Sequence, residues 1–500
     1  MHGIEEFASG KPAGPPSNGP WWRELTSYHW FVLVVAALGW LFDTMDQQLF
    51  NLARVPALRE LLVNADPALK AEKAKLLAAI DAAGPGDSEE AQTARAALGA
   101  FDTRLRPKVN EYGGYATSIF LIGWATGGLA FGVLGDRIGR ARTMLWTILL
   151  YSLFTGLSAA STGFWDFAFY RFLTGLGVGG EFAVGVALVA EVMPDRARPH
   201  ALGLLQASSA IGNVTAALLG MGLGHLEETG AVGSAWRVMF VIGTAPALLA
   251  VLIRRNLKEP ERWQAATTAG ETAGPAKRAG SYVELFGNPR WRHNALVGLA
   301  LSFSGIVGLW GIGFFSIDLI QGVLRKYFAA EGLSPAQIDG KVAFWAAMTS
   351  VTLNIGAFFG MYAFSQVTHY LGRRPAFAIT FVLAMLSTAM VFWGLDTFAE
   401  IFWMVPIMGF CQLALFGGYA IYFPELFPTH LRSTGTSFCY NVGRYVAAVG
   451  PALLGLLTSR VFAGYDEPMR YAGVTMCAVF LIGLAALPFA PETKGKPLPE

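Results

Sequence analysis

Two aspartates lie three residues apart in an apolar stretch near the start of the chain, GWLFDTMDQQLF. Asp43 and Asp46 share nearly the same side of a helix, because residues i and i+3 are neighbours on its surface. A carboxylate near the centre of a membrane helix costs roughly 2.5–3.5 kcal/mol on insertion scales, so it needs a partner, a proton or a function. Asp43 is therefore predicted to titrate. Asp46, one turn further along, is predicted to tune it, to guard an entrance, or simply to be a helix-end acid in water.

Arg171 is the predicted partner of Asp43. At ~1.5 Å per residue along the predicted helices, both residues lie about 10 Å below the same membrane face. Separating such a pair would switch the carboxyl group between accepting and releasing a proton, although a static structural pair is the alternative. Glu181 lies about 15 Å further along the same helix than Arg171. It is predicted to be a second proton site or a partner of the gate residues.

A third intramembrane charge, Arg444, lies in SFCYNVGRYVAAVGP. It falls roughly 15 Å into its predicted helix, where no carboxylate is obvious in the neighbouring helices. A guanidinium offers two parallel donors to a carboxylate, so Arg444 is predicted to bind an anion. The alternative is a structural link to backbone carbonyls or to Glu181. Further polar side chains are predicted either to face the same cavity or to bridge helices: Gln206, Asn213, Asn354, Gln412, Tyr419 and Asn441.

The composition predicts the helices that must hold these residues. The 500 residues are 54% hydrophobic and only 14% charged, with a mean hydropathy of +0.44. The sequence predicts an all-α membrane protein with twelve transmembrane helices, because apolar segments of spanning length recur along the chain. Their predicted ranges are 30–52, 112–134, 142–161, 164–190, 201–223, 236–253, 294–318, 342–367, 376–394, 400–422, 434–458 and 471–489. The net charge of +2 gives no indication of nucleic acid as a partner.

The loops on one side of the predicted bundle carry the arginines, and this asymmetry predicts the orientation. Both termini are predicted to lie in the cytoplasm, and the membrane is predicted to be a plasma or inner membrane. The chain divides into a cytoplasmic tail, an N-terminal six-helix bundle, a cytoplasmic linker, a C-terminal six-helix bundle and a second tail, at 1–29, 30–254, 255–292, 293–490 and 491–500. An insertion at 53–110 interrupts the first bundle on the outer side. It is predicted to form a helical hairpin over the outer mouth or to be a spacer.

The two halves of the sequence repeat one another. Gly139-Arg140 matches Gly372-Arg373, and EVMPDRAR matches ELFPTHLR at the same offset within one residue. Such repetition is typical of transporters with a site between two rocking halves. The acids and bases at these positions are predicted to form ion pairs that close an inner gate in one state and break in the other; positive-inside anchoring alone would explain only the arginines. The predicted gate residues are Asp136, Arg137, Arg140, Glu191, Arg198, Arg373, Glu425 and Arg432.

Several of these motifs resemble those of the major facilitator superfamily. GVLGDRIGRAR is similar to its signature loop, while RFLTGLGVGGE, KEPERW and PETKGK resemble its sugar-porter, organic-acid and organic-ion branches. The resemblance implies two pseudo-symmetric six-helix bundles working by alternating access. It also implies proton coupling at Asp43 and Arg171, and an anionic substrate at Arg444, whose position is basic in anion carriers. Gln206 resembles a sugar-binding glutamine, but LSFSGIVGLWGIGFFSIDLIQ lacks the paired glutamines of sugar porters.

The chain lacks a nucleotide-binding loop and clustered metal ligands, so it is predicted not to be an enzyme and to need no cofactor or metal besides the coupling proton. The predicted function is proton-coupled symport of a small organic anion by a monomer in the lipid bilayer. A sugar or polyol symporter is the alternative. A transporter-like receptor that no longer transports is a third reading.

Overall fold

The computed structural model describes residues 19–83, 88–272, 279–333, 335–447 and 456–500. Every regular element in these ranges is helical. The first half of the chain supplies α1 (Ser27–Ala65), α2 (Pro67–Ala83), α3 (Glu89–Ile138), α4 (Arg140–Ser158), α5 (Phe164–Val192), α6 (Arg198–Glu228), α7 (Ala235–Ile242) and α8 (Ala247–Asn256). The linker contributes α9 (Glu261–Thr272) and α10 (Tyr282–Gly287).

The second half supplies α11 (Pro289–Val307), α12 (Phe314–Ala330), α13 (Pro335–Leu371), α14 (Arg373–Gly394), α15 (Phe398–Glu425), α16 (Arg432–Ala447), α17 (Pro468–Met476) and α18 (Val479–Ala486). A turn of π-helix, Gly308–Gly313, joins α11 to α12. Nine of the described helical segments are long and apolar enough to cross a membrane, judged by length and composition. The halves meet mainly where α6 packs against α13 and α3 against α16, with further contacts of α6 with α15 and of α5 with α16.

Two helices run well beyond the membrane length that the sequence predicts. α1 continues unbroken past Pro56, and α3 begins at Glu89 and runs through Pro107 into the bundle. Both helices continue because their apolar faces extend into these outer turns. Leu58 and Leu61 of α1 belong to the same buried cluster as Phe101 of α3. α2 caps this pair without burying a residue, held by the ion pair from Arg104 to Glu72 at 2.6 Å.

Matched glycine turns begin α4 and α14. Gly139 (φ 110°) and Gly372 (φ 97°) adopt a backbone conformation that side-chain-bearing residues rarely reach. We call the end of the bundle at these two glycines the gate end, and the opposite end the hairpin end.

A carboxylate from each half caps the helix that follows its glycine. Glu259 accepts from the N–H groups of Ala141 and Arg142 at 3.1 and 3.0 Å, and Glu492 accepts from those of Arg373 and Arg374 at 2.9 and 3.0 Å. Partial burial raises the pKa of Glu492, but these backbone donors outweigh it and leave the pKa below its ordinary value. The sequence repeat is therefore a structural repeat.

Candidate functional site

Two carboxyl groups meet where α1 packs against α5. Asp43 and Glu181 are each 1% exposed, and their carboxyl groups lie close enough to interact directly. Among the described residues, no N–H or O–H group donates to either carboxyl. Gly39 makes room for the contact, because a Cβ there would lie 2.1 Å from Glu181 Oε1. Two touching carboxylates repel strongly in a dry interior, so the geometry suits a pair that shares one proton.

The structure pairs Arg171 with Asp46 and not, as the sequence predicted, with Asp43. Arg171 Nη1 lies 3.6 Å from Asp46 Oδ2, and both side chains are buried. Thr155 donates to the other carboxylate oxygen at 2.7 Å, and Ser158 accepts from Arg171 Nε at 3.0 Å. Counting residues along untilted helices does not resolve a rise of about 4.5 Å, which separates the two aspartates along α1. The first half thus contains a carboxyl pair and a separate ion pair.

Arg444 on α16 is a buried cation facing the first half. Its guanidinium lies over the rings of Trp124 and Tyr440, at 4.3 and 4.4 Å from their centroids. Nη1 donates to Tyr440 O and to Asn441 Oδ1, each at 2.8 Å, while Nε is buried without an acceptor. In the part of the chain that the structure describes, no carboxylate lies within ion-pair distance of it. The Nε edge therefore remains available to an anion.

Sequence analysis missed the two rings that sandwich Arg444. Tyr440 lies one helical turn before Arg444, so the i, i+4 relation could have revealed it. Trp124 comes from α3 in the other half, and nothing in the sequence signals that contact. Gln206 lies beside the Tyr440 side chain, with its amide oxygen buried and without a described donor.

Four of the predicted substrate residues make helix-to-helix or local bonds. Asn213 Nδ2 donates to Asn354 Oδ1 across the two halves at 2.9 Å. Gln412 donates to Thr388 at 2.5 Å, and the Tyr419 hydroxyl donates to Leu301 O at 2.7 Å. Gln412 and Tyr419 are thus engaged within the second half, where α14 and α11 satisfy them, and the structure does not bring them to Arg444. Asn441 is the one predicted amide that contacts Arg444 directly.

Buried charged side chains connect the two halves at the gate end. Glu191 Oε1 accepts from Arg140 at 2.9 Å and from Arg432 at 2.7 Å, so one carboxylate of the first half binds arginines of both halves. Arg140 also donates to Thr429 O at 2.6 Å. Asp136 completes the closure by accepting from the N–H groups that begin α16: Ser433 at 3.1 Å and Thr434 at 2.9 Å.

The remaining predicted gate residues form other contacts. Arg373 binds Glu425 at 2.6 Å within the second half, and Arg137 donates to Ala279 O at 3.1 Å. Arg198 and Arg432 also bind the end of the helix that precedes their own. Arg198 donates to Ala190 O at 2.7 Å and pairs with Asp195, and Arg432 donates to Pro424 O at 3.1 Å in addition to its bond to Glu191.

The comparisons with known proteins decide the family. The family model of the Major Facilitator Superfamily matches residues 109–451. The chain belongs to the major facilitator superfamily. A putative metabolite transport protein of Haemophilus influenzae is 31% identical over 400 residues, covering 79% of this chain and 90% of that protein. The cis,cis-muconate transport protein of Acinetobacter baylyi is 28% identical over 372 residues, covering 73% and 83%.

A solved relative gives the fold of this superfamily member. The proton:xylose symporter XylE aligns with a TM-score of 0.67 at 17% identity, covering 94% of this chain and 98% of that one. These findings confirm the all-α, twelve-helix fold and an integral, multi-pass membrane protein. They also confirm that the protein is a transporter of this superfamily and not an enzyme.

Proposed function

We propose that this transporter carries a small organic anion, bound through its carboxylate, together with a proton. The observation that carries the proposal is Arg444, a buried guanidinium between the halves with no described carboxylate partner and an unused Nε. A buried cation without a partner is costly, so a ligand carboxylate would stabilise it by forming the charge-assisted bonds that the protein lacks. The name of the Acinetobacter baylyi relative, a transport protein for a dicarboxylate, supports the same class of substrate.

Proton coupling is assigned to the acids of α1 and α5. The Asp43–Glu181 contact supports a site that holds a proton, and Asp46 beside Arg171 supports a separate ion pair between α1 and α5. A substrate anion and a proton entering together reduce the charge moved across the membrane. Separation of the two carboxyl groups during rocking would release the shared proton.

Alternating access is the proposed mechanism, with 30–254 and 293–490 as the rocking units and 255–292 as their cytoplasmic linker. If the gate end is cytoplasmic, the Glu191 network belongs to the form closed to the cytoplasm. Breaking one set of bonds to Arg432 and to the start of α16 would then open that face. The helical hairpin of α1, α2 and α3 is proposed to lie outside the membrane.

A thermal-shift panel tests the proposal. The purified protein is titrated with cis,cis-muconate, benzoate, nicotinate and xylose, in the wild type and in Arg444→Gln. A carboxylate at about 100 times its dissociation constant should stabilise the wild type by about 2.7 kcal/mol, and the shift should vanish in Arg444→Gln.

Arg470→Gln is the matched control. Arg470 is also a buried arginine, but two carboxylates pair with it, Asp396 and Glu467, each at 2.5 Å. The variant should melt earlier and keep the full ligand shift. A response to xylose alone that survives Arg444→Gln would contradict the anion proposal and favour the sugar or polyol alternative.

A further inference from the structure

A stack of aromatic rings connects Arg444 with the carboxyl pair. Phe182 of α5 stacks on Tyr440 of α16 with their centroids 3.9 Å apart and their planes at 25°. Trp40 of α1 packs against Phe182 at 4.5 Å and also meets Tyr440 edge-on at 6.5 Å. All three rings are at most 3% exposed. The stack therefore crosses from one half of the transporter to the other within the dry core.

The ring stack contacts Arg444 directly and adjoins Glu181 along the chain. At one end, Tyr440 carries the Arg444 guanidinium over its ring and accepts from Nη1 through its backbone carbonyl at 2.8 Å. At the other end, Phe182 directly follows Glu181 in α5, so a rotation or tilt of this turn moves both side chains. Trp40 follows Gly39, whose Cα faces the Glu181 carboxyl. The rings thus lie between the proposed anion site and the proposed proton site.

We infer that Phe182 is a positioning residue that couples anion binding at Arg444 to the proton shared by Asp43 and Glu181, an inference that rests on the proposed function. An anion at the Nε edge draws the guanidinium toward itself and off the Tyr440 ring. Tyr440 then shifts against Phe182, because packed cores respond by discrete repacking and not by continuous deformation. The displaced α5 turn changes the distance from Glu181 to Asp43, and this change alters the affinity of the two carboxyl groups for the shared proton.

The test measures the pH dependence of ligand affinity in Phe182→Leu. Calorimetric titration with cis,cis-muconate or benzoate runs between pH 5.5 and 8. The wild-type affinity should fall by about tenfold per pH unit over the upper part of this range, the slope for one proton taken up with the ligand. Phe182→Leu should keep its affinity at pH 5.5 within about threefold. Its affinity should no longer depend on pH, since anion binding and proton binding are no longer coupled.

Phe381→Leu is the control for losing a buried ring. Phe381 of α14 is fully buried and stacks on Phe377, within the second half. This variant should keep the wild-type slope. The inference is overturned if Phe182→Leu keeps that slope as well, or if it loses affinity equally at every pH, which would make Phe182 part of the binding site.

A ligand-free measurement separates this inference from the proposed function. If neither cis,cis-muconate nor benzoate binds the wild type, the anion proposal fails. The coupling is then tested by the effect of pH on the structure without a ligand. Spin labels on Ile138→Cys and Leu371→Cys report the distance between the halves at the gate end, where these residues are 36% and 52% exposed. Acidification should change that distance in the wild type and leave it unchanged in Phe182→Leu. An equal response in both proteins, or none in the wild type, contradicts the inference.

Discussion

Asp43 and Asp46 differ by one helical turn but have opposite surroundings. Asp46 faces the guanidinium of Arg171 and accepts from Thr155, whereas Asp43 faces another carboxyl group and receives no bond from a described donor. The residue types and their spacing were readable from the sequence. Their partners were not, because pairing depends on helix tilt and rotation, which shift contacts by one turn without changing the sequence pattern.

The two aspartates should therefore respond differently to amide substitution. Asp46→Asn leaves the buried Arg171 without its carboxylate and should reduce the free energy of unfolding by about 3–5 kcal/mol. Asp43→Asn should change it by about 1 kcal/mol or less, because an amide replaces a group that faces another carboxyl group and has no cationic partner among the described residues. Thermal melts of both purified variants check this prediction.

Transport by Asp43→Asn provides the second half of that test. The variant should exchange substrate across the membrane but fail to accumulate it against a gradient when a proton gradient is imposed. Equal melting losses in Asp43→Asn and Asp46→Asn, or normal accumulation by Asp43→Asn, would contradict the division of roles.

At the scale of the helix, the carboxylate caps of α4 and α14 explain why KEPERW and PETKGK recur in the sequence. Glu259 and Glu492 each accept two backbone N–H groups at a helix start. The repeat was visible in the sequence, but its capping role depends on the linker and the tail folding back onto the gate end. The unbroken lengths of α1 and α3 were not predicted either, because the sequence indicates a separate helical hairpin in the insertion and does not show that its ends continue the membrane helices. Leu58 and Phe101 belong to one buried cluster that forms only in the fold.

Substitution of the caps should cost stability in matched amounts. Glu492→Gln and Glu259→Gln each lose a charged acceptor at a helix N-terminus, which typically costs about 1 kcal/mol. Chemical unfolding at pH 7 measures both. A loss confined to one of the two variants would show that the structural repeat is not an energetic one.

The lowered pKa of Glu492 also predicts an acid dependence. Its contribution is present above the ordinary glutamate pKa, about 4.3, and is lost as the pH falls through the lower value in the folded protein. The difference in stability between the wild type and Glu492→Gln should therefore shrink below about pH 4. A difference that stays constant with pH would contradict this reading.

At the scale of the whole molecule, the halves are joined at the gate end through Glu191, which binds Arg140 from its own half and Arg432 from the other. The sequence repeat identified these residues as a set. It could not reveal that one acid serves both halves, because the matching Glu425 binds Arg373 inside its own half. The asymmetry arises from contacts between the two units, which neither repeat encodes alone.

Substitution of Glu191 and of Glu425 by glutamine should distinguish a role in closing the gate end from a role in stability. Glu191→Gln leaves the buried Arg432 without a carboxylate, whereas Arg140 keeps Asp136 at 3.0 Å, and it should shift the protein toward a form open at the gate end. Spin labels on Ile138→Cys and Leu371→Cys would then lie further apart. Glu425→Gln should lower the melting temperature without changing that distance. An unchanged distance in Glu191→Gln would refute its role in closure.

Proton movement driven by the anion tests the central claim most directly. The protein is reconstituted into vesicles that contain a pH-sensitive dye, and cis,cis-muconate is added outside at equal pH on both sides. We predict acidification of the lumen together with uptake of the acid, and neither in Arg444→Gln. Uptake without acidification, or acidification that Arg444→Gln retains, would contradict proton-coupled anion transport through this site.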